Sequence, residues 1–94
     1  MNIKAIKVIK SDERGIIYDC GEASFLSRKK GSISADHVHS EHETLCLVKG
    51  EIELTVGDET QIVKAPITFE VPSNVYHKLR ALTDIELVYC RKDL

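Results

Sequence analysis

Apolar and polar residues alternate over short stretches, and this alternation is the feature of the chain that most restricts its fold. In segment 51–56 (EIELTV), Ile52, Leu54 and Val56 alternate with polar residues, and segment 67–71 (ITFEV) repeats the pattern. Residues i and i+2 of a β-strand lie on the same face, so both segments predict strands with one apolar and one polar face. No stretch of a dozen residues shows the 3.6-residue period of an amphipathic helix.

Turn residues separate such segments at short, regular intervals. Gly57-Asp58 is typical of a two-residue β-hairpin, and further turns are predicted at 11–14 and 72–74. The remaining strands are predicted at 3–9, 15–20, 23–30, 44–48, 61–64, 77–82 and 85–91. Lysines interrupt the first of them, which is typical of an edge strand. About eight to ten short strands with these turns predict an all-β fold of antiparallel sheets, either a sandwich or a barrel.

Length and charge restrict the class of protein further. The 94 residues suit one small domain, 1–94. A net charge of −2 is too near neutral for a nucleic-acid-binding surface. No apolar run is long enough to span a membrane, which needs about 18 residues or more. The first ten residues lack the apolar core of a signal peptide, so we expect a cytoplasmic protein.

The three cysteines, Cys20, Cys46 and Cys90, cannot all pair within one chain, and none has the CxxC spacing of a zinc site. We expect them to be reduced, buried, small apolar groups. Phe25 and Phe69 are expected in the core.

Three histidines and a glutamate form a candidate metal site. His37 and His39 are two residues apart, so on a strand both imidazoles would face one interior. Glu43 follows a short polar connection at the start of an apolar run, and His77 opens a strand after the Pro-Ser-Asn turn. Isolated histidines are usually solvated, and we expect this for His42, whose strand parity is opposite to that of Glu43. Neutral imidazoles and a carboxylate are ligands for divalent transition metals, so the other four residues predict a metal centre.

The spacing of these residues resembles the first signature of the cupin superfamily. Every fixed position of that signature is matched, by Gly31, His37, His39, Glu43 and Gly50.

The second cupin signature is matched less completely, by Pro72 and His77. Pro66 and Asn74 stand where that signature has glycines, and Ala81 stands where it has an asparagine. Asparagine tolerates the left-handed backbone conformation better than other non-glycine residues, and none of these departures removes a ligand.

The resemblance implies a cupin double-stranded β-helix, which is a jelly-roll barrel of antiparallel sheets. It also implies that His37, His39, Glu43 and His77 bind a divalent transition metal ion, one of Fe, Mn, Ni, Co or Zn. Four ligands would leave two octahedral positions open for water, dioxygen or a small organic molecule. A homodimer, formed through the N-terminal strand, is a further implication.

Three functional hypotheses follow. The first is a metal-dependent enzyme that acts on a small organic substrate. The second is a module that binds or senses a small molecule without catalysis. The third is a metal-independent sugar-nucleotide epimerase or ketoisomerase, which the DERG motif at 12–15 faintly resembles and in which a histidine pair does acid–base work. Such a substrate needs basic residues for its diphosphate, and only Arg28, Lys29 and Lys30 cluster suitably.

Overall fold

The structure, a computed structural model, describes residues 1–90. The strands are β1 (Lys7–Asp12), β2 (Gly15–Asp19), β3 (Ala23–Arg28), β4 (Ile33–His37), β5 (Glu43–Lys49), β6 (Glu51–Val56), β7 (Glu59–Lys64), β8 (Ile67–Val71), β9 (His77–Ala81) and β10 (Ile85–Cys90). No helix within residues 1–90 is long and apolar enough to cross a bilayer.

The strands form two antiparallel sheets. The larger sheet has the order β1-β2-β3-β10-β5-β8, and the smaller one has the order β4-β9-β6-β7. Non-consecutive neighbours such as β3 and β10 show that the chain crosses repeatedly between the sheets, as in a jelly roll. The predicted all-β jelly-roll fold is therefore confirmed.

The core lies between the sheets. Its buried residues come from β5 and β10 of the larger sheet and from β6 and β9 of the smaller one: Leu47, Ile52, Leu79, Ala81, Ile85 and Leu87. Phe69 packs against this cluster, as predicted. Phe25 does not, because its neighbour Leu26 takes the inward position and the Phe25 ring lies 6.2 Å from that of Tyr18.

The predicted strand bounds agree best with the observed ones where a turn is sharply defined. The strands 51–56 and 67–71 are found as predicted, and β6 and β7 are joined by Gly57-Asp58. The first strand begins at Lys7 rather than at residue 3 and continues to Asp12, because Asp12 pairs with Gly15 across a two-residue turn. It is an edge strand, as predicted. The prediction of a strand to residue 91 extends beyond the described residues.

The cysteines are free, but the prediction that they are buried is wrong. Cys20 is exposed, and Cys46 and Cys90 are only partly buried. Cys46 has the strand parity opposite to the inward-facing Leu47 and therefore lies on the outer face of the larger sheet.

Candidate metal centre

The four predicted ligands meet at one end of the molecule. His37 is the last residue of β4, Glu43 is the first of β5 and His77 is the first of β9, while His39 lies in the loop after β4. Strands β4 and β9 belong to the smaller sheet and β5 to the larger one, so the cluster draws on both sheets. The expectation that His37 and His39 share a strand is wrong, because β4 ends at His37.

A bulge in β4 turns His37 inward. The ladder between β4 and β9 shifts by one residue between Ser34 and His37, and Ala35, within this shift, has a φ of 55°. In a regular ladder Asp36, rather than His37, would lie opposite His77. The extra residue in β4 therefore places His37 on the inward face. The sequence does not reveal this bulge, because alanine is not typical of a left-handed backbone position.

Backbone and side-chain hydrogen bonds connect the loops that carry the histidines. The amide of Asn74 donates to the carbonyl of His39 at 2.8 Å, and Asn74 has a φ of 61°. The Tyr76 hydroxyl donates to the carboxylate of Asp36, which raises the pKa of Tyr76. Asn74 thus has the left-handed conformation for which asparagine is suited, whereas the Asp36–Tyr76 pair had no signal in the sequence.

The side chains converge closely. The ring centroids of His37, His39 and His77 are 4.6 to 4.9 Å apart. One nitrogen from each ring and one oxygen of Glu43 all lie within 4.8 Å of one another. Two atoms that each bind one ion at about 2.0 to 2.2 Å are at most about 4.4 Å apart, so the four atoms are close to the spacing of a metal site.

The protonation of His77 leaves a lone pair directed at a carboxylate. His77 Nδ1 donates to the carbonyl oxygen of Val75 at 3.2 Å, since a carbonyl only accepts. In the neutral ring, Nε2 is then an acceptor, yet it lies 3.3 Å from Glu43 Oε1 and has no hydrogen-bond partner. Two acceptors face each other at this distance, and a cation between them would satisfy both.

His39 approaches the same carboxylate, but with its hydrogen-bonded nitrogen. Its Nε2 contacts the same oxygen, Glu43 Oε1, while its buried Nδ1 has no hydrogen-bond partner and lies 3.6 Å from Glu41. One carboxylate oxygen is therefore the common neighbour of two imidazoles, which is how a carboxylate ligand lies beside histidine ligands of the same ion.

Burial sets the charge of His77. The side chain is 5% exposed, and this desolvation lowers its pKa against the opposing effects of the Val75 carbonyl and Glu43. His77 is therefore neutral near pH 7, and a histidine must be neutral to bind a metal ion. His37 is exposed, so the cluster opens to solvent on that side.

The donor set fits a divalent transition ion. Three imidazoles and one carboxylate suit Fe, Mn, Ni, Co or Zn, and the unpartnered Nε2 of His77, which lies beside Glu43, is available to such an ion. His42 is exposed and is not part of the cluster, and its Nε2 lies 3.9 Å from the carboxylate of Glu70.

The DERG motif forms a turn. Asp12 Oδ1 accepts from the Arg14 amide at 2.9 Å, and Asp12 Oδ2 accepts from Arg14 Nη2 at 2.9 Å. These bonds lower the pKa of Asp12 to about 2. A Cβ at Gly15 would lie 1.9 Å from the carbonyl oxygen of Ser27, so only glycine fits. The motif thus has a structural explanation.

The basic residues at 28–30 do not form one surface. Arg28 is buried and faces inward, whereas Lys29 and Lys30 are exposed. The prediction that they cluster is wrong, because Arg28 lies on β3 with inward parity and the chain leaves the strand immediately afterwards.

Fold and cluster together define a class: double-sheet β-proteins with a histidine–carboxylate group at one end of the sheets. A family model described as the cupin domain matches residues 25–90. The chain belongs to the cupin family. No curated protein sequence matches it.

Solved structures agree on the fold. An RmlC-like cupin from Shewanella frigidimarina NCIMB 400 is 19% identical, with a TM-score of 0.77 over 89% of this chain and 80% of that one. The capsular polysaccharide assembling protein CapF of Staphylococcus aureus is 18% identical, with a TM-score of 0.77 over 94% of this chain and 28% of that one. Salicylate 1,2-dioxygenase from Pseudoaminobacter salicylatoxidans, solved with gentisate, is 20% identical, with a TM-score of 0.67 over 78% of this chain and 19% of that one. This chain therefore spans less than a third of the latter two proteins, and at these identities the likeness shows the fold alone.

Proposed function

We propose that His37, His39, Glu43 and His77 bind one divalent transition metal ion, and that the protein acts on or senses a small organic molecule at that ion. The observation that carries this proposal is the contact between His77 Nε2 and Glu43 Oε1, two acceptors 3.3 Å apart. A bound ion would supply Lewis-acid chemistry by polarising an oxygen of the small molecule.

The chain's own residues have separate tasks in this proposal. The Val75 carbonyl fixes the tautomer and orientation of His77. His37 lies on the exposed side of the cluster, which is where a small molecule would enter. Glu43 neutralises part of the ion's charge and is only 15% exposed.

Metal content is the first test. We expect protein purified without chelator to contain a transition metal, or to bind one equivalent in a calorimetric titration. His39→Ala should weaken binding at least about 100-fold, more than the loss of an outer-shell partner costs. The matched control is His42→Ala, three residues away and exposed, which should bind like the wild type.

The same experiment can overturn the proposal. If no metal is present and none binds, the metal-dependent functions are excluded, and acid–base chemistry by the histidines, as in a sugar-nucleotide epimerase or ketoisomerase, becomes the better hypothesis. If metal binds, oxygen consumption with a panel of small diols, thiols and keto acids separates an enzyme from a binding module.

We further propose that residues 1–94 form one cytoplasmic cupin domain that associates as a homodimer through β1. In support, β1 is an edge strand of the larger sheet, and Val8 and Ile9 on it and Ile6 just before it are 51%, 49% and 60% exposed. An unpaired apolar edge favours association with a second copy.

A further inference from the structure

A cavity of about 250 Å³ lies between the sheets beside the candidate metal centre. His37 and Glu43 are part of its wall, and its middle is lined by apolar side chains, among them Leu26, Leu45 and Leu87. Its volume equals that of about eight water molecules, at about 30 Å³ each. The cavity therefore suits a ligand of roughly ten non-hydrogen atoms or fewer.

Arg28 also lines this cavity, although it is only 5% exposed. Its Nε donates to Ser34 Oγ at 3.2 Å, and its Nη1 donates to the Ser27 carbonyl at 3.1 Å. Both acceptors are neutral, and within residues 1–90 no carboxylate lies within 4 Å of the guanidinium. Arg28 Nη2 has no hydrogen-bond partner among these residues.

A buried guanidinium without a carboxylate partner lowers the free energy of unfolding of the protein. Arginine remains charged in proteins and is almost never fully buried unless it is paired. The nearby carboxylate of Asp12 is already paired with Arg14, so these two charges largely offset each other. The charge of Arg28 is therefore available to an anion that enters the cavity.

Strand β10 lies between β3, which carries Arg28, and β5, which begins at Glu43, and it shows that the two residues lie at different ends of the sheet. Arg28 pairs with Ile85, the first residue of β10, while Thr44, next to Glu43, pairs with Cys90, the last. The five residue steps from Ile85 to Cys90 separate these levels by roughly 16 Å along the backbone. The cavity thus has a cationic group towards one end, the histidine–carboxylate cluster towards the other, and apolar walls between.

From this arrangement we propose that the cavity binds a small monocarboxylate with a short apolar body, whose carboxylate pairs with Arg28 and whose other end points to the metal centre. The planar guanidinium fork matches a carboxylate, and one uncompensated positive charge matches a monoanion. The second half of the proposal rests on the proposed metal function, whereas the pairing with Arg28 does not.

The test is an NMR titration of metal-free protein with benzoate, and with neutral benzamide as the matched control. We expect benzoate to bind at least tenfold more tightly than benzamide and to shift the side-chain Nε signal of Arg28. Arg28→Gln should weaken benzoate binding at least tenfold and should leave benzamide binding unchanged.

The outcomes separate the two proposals. Equal binding of benzoate and benzamide by the wild type, or no binding of either, would overturn the carboxylate site even if metal binds. Benzoate binding that depends on Arg28, in a protein that binds no metal, would support the carboxylate site and refute the metal function. If Arg28→Gln does not fold, the comparison of the two probes and the Arg28 Nε signal in the wild type decide the question.

Discussion

Burial and one hydrogen bond determine which nitrogen of His77 is available to a ligand. The bond to the Val75 carbonyl holds the proton on Nδ1, and burial keeps the ring neutral by lowering its pKa below the usual 6.5. The same burial has a consequence for stability in the absence of metal, because the unfolded chain takes up a proton more readily than the folded one.

The free energy of unfolding of metal-free protein should therefore fall as the pH is lowered through 6.5. Above this pH both states have neutral His77, so the residue makes no pH-dependent contribution; below it the unfolded state binds more protons and is favoured. One such group contributes at most about 1.4 kcal/mol per pH unit. Urea unfolding from pH 7.5 to 5 measures the slope of the free energy of unfolding against pH.

His77→Gln should have a shallower slope than the wild type, and the control His42→Ala should have an unchanged slope. Equal slopes for His77→Gln and the wild type would contradict the lowered pKa of His77.

Gly15 is the residue where a side chain is least tolerated. A Cβ there would lie 1.9 Å from the Ser27 carbonyl oxygen, so we expect Gly15→Ala to lower the free energy of unfolding by at least about 2 kcal/mol. Gly21→Ala is the control: it has a φ of +89° but no atom within 4 Å of the added Cβ, so only the backbone cost of about 1 kcal/mol remains. Urea denaturation midpoints measure both, and a smaller loss for Gly15→Ala than for Gly21→Ala would be inconsistent with the close approach.

At the scale of single strands, the bulge in β4 positions one of the ligands. Ala35 has a φ of 55°, which β-branched residues tolerate poorly. Ala35→Val should cost about 1–2 kcal/mol and, by displacing His37, should weaken metal binding. Ala35→Gly accepts the conformation and should stay within about 1 kcal/mol of the wild type with its metal affinity retained. Calorimetric titration and urea denaturation test both variants; unchanged metal affinity in a folded Ala35→Val protein would show that the bulge does not position His37.

The strands also show which features of the fold and of the candidate site can be predicted from the sequence and which cannot. Strict alternation predicted β6 and β8 to the residue, because one face of each strand is apolar. The four residues that cluster at the candidate centre were predicted from their spacing together with the resemblance to the cupin signature. The bulge was missed because it arises from the register against β9, which is a tertiary property. The inward position of Arg28 was missed for a related reason: an arginine followed directly by Lys29 and Lys30 gives no sign in the sequence that it faces a cavity.

At the scale of the whole molecule, the edge strand β1 of the larger sheet is the proposed contact with a second copy of the chain. If β1 forms the dimer interface, Val8→Lys should shift the protein from dimer to monomer, because it places a charge on an apolar contact. Ile62→Lys is the matched control, since Ile62 is 64% exposed on β7, an edge strand of the smaller sheet. Light scattering coupled to gel filtration measures both. A monomeric wild type, or a dimer that only Ile62→Lys disrupts, would refute the β1 interface.

The candidate ligands come from both sheets, so an ion held by them would resist separation of the sheets. A ligand that binds only the folded state stabilises it by about 2.7 kcal/mol at one hundred times its dissociation constant. For a domain of this size, that is a large share of a total stability of about 5–15 kcal/mol. Copies of the protein made during metal starvation would unfold more often and be degraded sooner, so the cellular amount of the protein would follow the metal supply.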